Sequence, residues 1–99
     1  MGDEQVEQYQ VGSAVVFREL DGEAVLLNLD SGVYFGLDEV GTRVWALLVE
    51  HGTLERVCSQ LMEEYDVEPA ELEQDVSRLV EQMRHKGLVV LGSQNRATP

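Results

Sequence analysis

The stretch LNLDSGVYFGLDEVGTRVWALL, residues 27–48, contains the signals that decide the fold. Residues 30–32, Asp-Ser-Gly, have the composition of a tight turn, because Asp bonds to its own backbone and Gly adopts positive φ freely. This turn joins two short stretches rich in β-forming residues, 24–29 and 33–37. Asp38 follows, and its side chain can accept the free N–H groups at the start of a helix. The segment therefore predicts a hairpin whose second strand leads directly into a helix.

Further strand and helix signals lie on both sides of this segment. Residues 11–18 fit a strand, and Asp21-Gly22 marks the turn to the next one. Downstream, three apolar stripes at helical spacing predict three helices. Their boundary residues are Asp38 and Gly52, Thr53 and Tyr65, and Pro69 and Gly87. The chain therefore predicts a small α+β domain in which three helices cover one face of a three-stranded antiparallel sheet.

Polar segments flank this body. Residues 1–10 are polar and acidic, and residues 92–99 contain Ser, Asn, Thr and Pro, so we expect both to be flexible tails. The folded domain is predicted to span residues 11–91. Its last apolar run, residues 88–91, is expected to pack back on the sheet.

The composition excludes several classes of function. Of 99 residues, 19 are acidic and 7 are basic, which gives a net charge of −12. Such a chain lacks the Lys/Arg footprint that phosphates require, which argues against binding nucleic acid or an anionic membrane. No apolar stretch is long enough to span a bilayer, the N-terminus lacks the apolar core of a signal peptide, and the single cysteine cannot form an internal disulfide. We expect a soluble cytoplasmic protein.

Patterns typical of catalysis or metal binding are not found in the sequence. Cys58 lies on the apolar stripe of the second helix, and His51 and His85 stand at helix C-termini, where the dipole favours cations. Eight carboxylates between Glu63 and Glu81 could serve acid–base chemistry, but charges on the outside of a helix are usually solvated. No Cys/His cluster has zinc spacing, and no glycine-rich loop resembles a phosphate cradle. We therefore expect no enzyme activity, no cofactor and no metal.

The remaining candidate is a peptide-binding surface at the open edge of the sheet. An edge strand with free N–H and C=O groups can receive a peptide as an added strand, although its apolar residues can equally belong to the core. One flank of the third helix can supply a wall, because 100° steps gather polar residues beside its apolar stripe. Which flank faces the strand is left open by the sequence. The predicted binding residues are Gly32, Val33, Tyr34, Phe35, Gly36 and Leu37 on the strand, and Asp75, Arg78, Leu79, Gln82 and Met83 on the helix.

A pattern that spans about residues 15–91 resembles a known family. It begins with an apolar strand, an Asp-x-Gly turn and a second strand that contains Tyr-Phe. After this strand come, in order, Leu-Asp, Gly, Trp, Leu-Leu, Tyr-Asp-Val and a closing Gly-Leu-Val. These are Leu27–Leu29, Asp30, Gly32, Tyr34, Phe35, Leu37, Asp38, Gly41, Trp45, Leu47, Leu48, Tyr65–Val67 and Gly87–Val89. In this order and spacing they resemble the PqqD family, the leader-peptide recognition elements of pathways that modify ribosomally made peptides.

The resemblance implies a winged-helix-like fold of three strands and three helices that has lost DNA binding. Such domains bind the leader of a precursor peptide as a fourth strand against the third one, beside helix three, and present it to modifying enzymes. The tails and the Tyr34-Phe35 strand resemble the free-standing members of lasso-peptide clusters, whose partners are a leader peptidase and an ATP-dependent macrolactam synthetase. The alternative is the member of pyrroloquinoline quinone synthesis, which serves a radical enzyme.

Two further functions compete with the leader-peptide adaptor. A winged-helix regulator would bind DNA, but the third helix carries almost no basic residues before its last turn. A generic protein-interaction module would differ from the adaptor only in its partner. The sequence therefore favours a non-catalytic adaptor of lasso-peptide biosynthesis, and it leaves the precursor, the product and the partner enzymes open.

Overall fold

The structure, a computed structural model, describes residues 8–92. In this part of the chain, the strands are β1 (Gln8–Val11), β2 (Val15–Leu20), β3 (Glu23–Asn28), β4 (Tyr34–Leu37) and β5 (Val89–Gly92). The helices are α1 (Glu39–His51), α2 (Leu54–Glu64) and α3 (Pro69–His85). The α+β class and the three helices predicted from the sequence are confirmed.

A three-stranded antiparallel sheet in the order β2-β3-β4 carries the predicted hairpin. Its central strand pairs with both neighbours, so Leu26 lies opposite Phe17 in β2 and opposite Phe35 in β4. The turn between β3 and β4 lies at the expected place. Its side-chain acceptor is Asn28, whose Oδ1 accepts the N–H of Asp30 at 2.9 Å, whereas the sequence assigned that role to Asp30. Among residues 8–92, β4 pairs only with β3, and it is therefore the edge strand that the sequence predicted over residues 33–37.

A separate two-stranded sheet of β1 and β5 differs from the expectation. The two strands are antiparallel, with Tyr9 opposite Leu91. Residues 8–10 and Gly92, predicted as the inner ends of the two flexible tails, are therefore strand. The run 88–91 enters a strand that pairs with β1 and not with the three-stranded sheet. Local sequence could not reveal this pairing, because the partners lie about eighty residues apart. Residues 1–7 and 93–99 of the predicted tails lie outside the described residues.

The helix boundaries agree with the capping residues read from the sequence. Asp38 Oδ1 accepts the N–H of Gly41 at 2.8 Å, which satisfies a free donor of the first turn of α1. Gly52 ends that helix in the left-handed region, at φ 81°. Thr53 then caps α2 through its side-chain oxygen, and Pro69 stands in the first turn of α3. These boundaries depend on local chemistry, which explains why they were predictable.

The helices form the core in a different arrangement from the one expected. The sequence predicted that all three helices cover one sheet face, but α1 is the helix that lies against β3 and β4. Helix α2 packs chiefly on α1 and α3, and α3 packs chiefly on α2 and β5. The core residues are Ala24, Leu26, Leu37, Val44, Trp45, Leu47, Leu48, Val57, Cys58, Leu61, Val76, Val80, Met83, Leu88 and Val89. None of the helices described is long and apolar enough to cross a membrane.

Candidate peptide-binding site

A cleft of about 430 Å³ lies between β4 and the C-terminal half of α3. We call it the β4–α3 cleft. Phe35 is half-buried and lines it from the strand, while the other lining residues come from α3 and its C-cap. These are Arg78, Glu81, Gln82, His85 and Lys86. The cleft therefore runs beside the one strand edge that the described hairpin leaves open.

The α3 residues that line the cleft, together with its C-cap Lys86, form one wall. A hydrogen bond between the hairpin and the end of α3 sets the position of this wall. The side-chain amide of Asn28, at the end of β3, donates to the carbonyl of Gly87 at 3.1 Å. Gly87 has a φ of 72°, a left-handed conformation that glycine adopts without strain, and it turns the chain from α3 toward β5. The end of the helix is thereby held next to the hairpin, which places Lys86 close to Phe35.

The backbone N–H and C=O groups of alternate residues in β4 point toward the open edge of the sheet. The N–H of Asn28 donates to the carbonyl of Val33 at 2.9 Å, and bonded and non-bonded pairs alternate along an antiparallel ladder. Two residues further on, Phe35 therefore occupies a bonded position, and its N–H and C=O face β3. Tyr34 and Gly36 direct their N–H and C=O away from β3. An added strand would bond to these two residues.

Side chains also alternate across β4. Phe35 shares the core-facing side of the sheet with Leu26, its partner in β3, whereas Tyr34 projects from the opposite face and is 71% exposed. The space where a Cβ of Gly36 would stand is open, with no atom within 4 Å. A peptide strand beside β4 would therefore place every second side chain on the cleft side, next to Phe35.

The charges of the cleft come from α3. Arg84 Nε donates to Glu81 Oε2 at 2.9 Å, and this hydrogen bond lowers the pKa of the Glu81 carboxyl. Arg78 forms an exposed ion pair with Asp75 at 3.6 Å. The ammonium of Lys86 lies 5.8 Å from the centroid of the Phe35 ring. The cleft thus combines an aromatic floor with cationic groups along one wall.

Some of the residues predicted as binding residues lie together in the cleft, and others do not. Phe35, Arg78 and Gln82 line it, so the flank of α3 that carries Arg78 and Gln82 is the one that faces β4. Gly32 and Val33 lie in the turn that leads to this strand, and Tyr34 and Gly36 supply its open backbone groups.

The remaining predicted residues lie beside or beneath the cleft. Met83 is 0% exposed and Leu37 is 6% exposed, so their side chains belong to the core and can only support the cleft from below. Leu79 is half-buried against the core, and Asp75 is connected to the cleft through Arg78.

Sequence reasoning missed three residues of the wall, Glu81, His85 and Lys86. The basic residues 84–86 could have indicated this wall, but they were interpreted only as cations that interact favourably with the helix dipole.

Residues 8–92 contain no cluster of metal-ligating side chains and no exposed thiol. Across residues 8–92, no three side chains of the His, Cys, Asp or Glu type are grouped so that they could hold a metal ion. Cys58 is buried on the core side of α2, and desolvation raises the pKa of its thiol, which disfavours the reactive thiolate. The cleft itself is lined by aromatic, amide and charged side chains, which can bind a peptide non-covalently.

Comparisons with known proteins point to one family. The family model described as coenzyme PQQ synthesis protein D (PqqD) matches residues 23–89, from β3 into β5. A solved structure described as TbiB1 in complex with the TbiA(beta) leader peptide is 35% identical, covers 90% of this chain and 99% of that chain, and has a TM-score of 0.76. A second, described as lasso peptide synthetase B1 complexed with the leader peptide, is 24% identical, covers 84% and 98%, and shares the fold with a TM-score of 0.76. No curated protein matches the sequence significantly.

Proposed function

Because this chain belongs to the PqqD family, we propose that it is a non-catalytic adaptor that binds the leader of a ribosomally made precursor peptide in lasso-peptide biosynthesis. The observation that carries this proposal is the open edge of β4 beside the β4–α3 cleft. The relative TbiB1, which matches nearly the whole of this chain, was solved with a leader peptide bound, and that supports the same ligand class here.

In the proposed complex, the leader adds to the sheet as a strand next to β4. The N–H and C=O groups of Tyr34 and Gly36 bond to the peptide backbone. These bonds give an affinity that does not depend on the side chains of the peptide. Alternate peptide side chains enter the β4–α3 cleft next to Phe35 and Gln82, and these contacts give specificity. A single added strand buries less surface than a standard interface, so the affinity depends on how well the cleft is preorganised.

The proposed role of the bound leader is to bring the precursor to its modifying enzymes. We propose a leader peptidase and a macrolactam synthetase as those partners, acting in the cytoplasm, where the precursor is made. The adaptor itself breaks and forms no covalent bond in this scheme. Its contribution is to hold the leader in one extended conformation. The leader then loses less conformational entropy when the enzymes bind it.

A second candidate is an adaptor for a radical enzyme in pyrroloquinoline quinone synthesis. The observation in its favour is the family model itself, which is described as a coenzyme PQQ synthesis protein. The two candidates share the cleft and differ in the precursor that occupies it.

The experiment is a titration of the purified chain with fluorescently labelled leader peptides. The probes are the TbiA(beta) leader, the leader peptide of the second solved lasso peptide synthetase B1 complex, a precursor of the pyrroloquinoline quinone type, and a scrambled leader as control. We expect saturable binding of a lasso-type leader and none of the scrambled one. Amide shifts should concentrate in residues 34–37 and 78–86.

Three outcomes would contradict the proposal. Failure of both lasso-type leaders to bind would overturn the proposed role in lasso-peptide biosynthesis. Binding of the pyrroloquinoline quinone precursor alone would favour the second candidate. Amide shifts confined to α2 would place the binding surface elsewhere on the chain.

A further inference from the structure

We infer that the β4–α3 cleft selects a peptide with an acidic side chain beside Phe35, and that Lys86 is the residue that recognises it. The inference rests on the proposed function, because it takes the ligand to be an added strand at β4. It goes further by naming the chemistry of one side chain of that strand and the group on this chain that binds it.

The distribution of basic residues gives the first reason. The chain carries a net charge of −12, and residues 8–92 contain only six Lys and Arg side chains. Three of them, Arg78, Arg84 and Lys86, lie in the C-terminal half of α3 or at its C-cap, and two of these three line the cleft. An anionic peptide side chain would therefore be repelled by most of the surface and attracted at this wall.

The pairing of these cations gives the second reason. Arg84 is bonded to Glu81, and Arg78 faces Asp75 across 3.6 Å. Lys86 forms no ion pair with any residue between Gln8 and Gly92, and its ammonium lies 5.8 Å from the centroid of the Phe35 ring. Within residues 8–92, Lys86 is therefore the cation of the wall whose charge is not matched by a carboxylate.

A role for Lys86 in helix capping does not account for its position. A cation at a helix C-terminus interacts favourably with the dipole. However, three of the last four carbonyls of α3 already have backbone partners. Those of Gln82, Met83 and Arg84 accept the N–H groups of Lys86, Leu88 and Gly87, respectively. The ammonium lies over the ring of Phe35, which places it at the side of the cleft that faces β4.

The register of an added strand determines which peptide residue meets this group. Phe35 faces the cleft, and the peptide residue opposite Phe35 lies on the same face of the extended sheet. Its aliphatic part would contact the Phe35 ring, and its end would reach Lys86. Glu or Asp satisfies both contacts, because each joins an apolar stem to a carboxylate.

The test is a charge swap between Lys86 and the peptide. The leader that binds in the titration above is synthesised as a set in which each position in turn is Glu, Gln or Lys. The set is titrated against the parent, Lys86→Glu and Arg56→Glu. Arg56 is exposed on α2 and does not line the cleft, so its variant matches the change in net charge without altering the site.

We expect one peptide position at which Glu binds the parent more tightly than Lys does, and at which Lys86→Glu reverses the order. The change should be about three- to tenfold, the size expected when attraction becomes repulsion at an exposed pair. Arg56→Glu should keep the order of the parent. Circular dichroism melts would show that both variants fold.

The outcomes separate this inference from the proposed function. Suppose that the leader binds the parent, and that the parent and Lys86→Glu show the same preference between Glu and Lys at every peptide position. This result overturns the inference and leaves the adaptor function standing. A reversal that Arg56→Glu produces equally also overturns it, because net charge alone would then explain the preference. Absence of binding by the parent overturns both.

Discussion

The side-chain amide of Asn28 donates to the carbonyl of Gly87, a residue 59 positions further along the chain. Through this bond the β3–β4 hairpin holds the C-terminal end of α3, and the two walls of the β4–α3 cleft keep their spacing. The same side chain organises the hairpin turn, because its Oδ1 accepts the N–H groups of Asp30 and Ser31. One residue thus couples the shape of the strand edge to the position of the helix.

Replacement of Asn28 separates these two roles. Asn28→Asp keeps an acceptor for the turn but loses the donor to Gly87, whereas Asn28→Ala loses both. We expect Asn28→Asp to lower the free energy of unfolding by about 1 kcal/mol and Asn28→Ala by more, and both to weaken leader binding. Urea denaturation and fluorescence-polarisation titrations measure the two effects. Parent-like binding by Asn28→Asp would mean that this bond does not set the cleft.

Proline substitutions test strand addition at β4. Gly36→Pro removes an N–H that faces the open edge, so the domain should fold while leader binding is lost. Gly36→Ala is the matched control, since the position of its Cβ is free of neighbours, and it should bind like the parent. Phe35→Pro removes an N–H that faces β3 and should unfold the hairpin. A folded Gly36→Pro variant with parent affinity would contradict strand addition.

Polar residues on α3 should contribute to binding according to their distance from the cleft. Gln82→Ala and Arg78→Ala remove side chains that line it and should each weaken binding by about 1 kcal/mol. Asp75→Ala should have a smaller effect, because this residue contacts Arg78 but does not line the cleft. Leu79→Ala should reduce stability as well, because Leu79 packs on the core. Equal effects of Asp75→Ala and Gln82→Ala would place the binding surface further along the helix.

Acid should destabilise the domain partly through the ion pair between α1 and α2. Arg43 Nε donates to Glu64 Oε1 at 2.8 Å, and this bond lowers the pKa of the Glu64 carboxyl from 4.5 to about 2. As the pH falls, the Glu64 carboxyl is therefore protonated in the unfolded chain before it is protonated in the folded one. The stabilisation that Glu64 contributes is complete above pH 4.5 and is lost as the pH falls toward 2. Glu64→Gln should flatten the fall in stability over this range.

The control for the acid experiment is Glu63→Gln. Glu63 is exposed and has no ion pair among the described residues, so this variant should lose stability with falling pH as the parent does. Unfolding free energies measured in urea at a series of pH values make the comparison. Identical pH profiles for the parent and Glu64→Gln would show that the ion pair does not contribute.

Cys58 should be unreactive and unnecessary for binding. Its thiol is buried and its pKa is raised by desolvation, so alkylation by iodoacetamide should be slow in the folded protein and fast in urea. Cys58→Ala should cost about 1 kcal/mol of stability and leave leader binding intact. Rapid alkylation of the folded protein, followed by mass spectrometry, would indicate an exposed and activated thiol.

The sequence was sufficient for the parts of the fold that depend on near neighbours. The turn at residues 30–32 and the caps at Asp38, Gly52 and Thr53 were all predicted, because each depends on hydrogen bonds between groups no more than four residues apart. The β1–β5 pair was missed because its strands are short, one of them is polar, and no local pattern identifies the partner.

The cleft shows the same division between near and distant contacts. The sequence left open which flank of α3 faces β4. The edge strand and the grouping of Arg78 and Gln82 on one flank of α3 followed from strand alternation and helical spacing. The contribution of Lys86 did not, because it depends on the bond between Asn28 and Gly87, which no spacing rule predicts. Met83 was assigned to the site because it lies next to that flank, but a helix stripe that faces the core buries such a residue.

The pairing of β1 with β5 brings the two ends of the described chain together, with Gln8 opposite Gly92. The path of the chain is therefore nearly a closed ring, and a short linker could join its ends while new termini are opened elsewhere, for example at the exposed turn between β2 and β3. Such a circular permutant would keep β4 and α3 in one uninterrupted segment. The same closure joins strands about eighty residues apart, so we expect β1 and β5 to pair late in folding, after the helices between them have shortened the path, and to depend on chain connectivity.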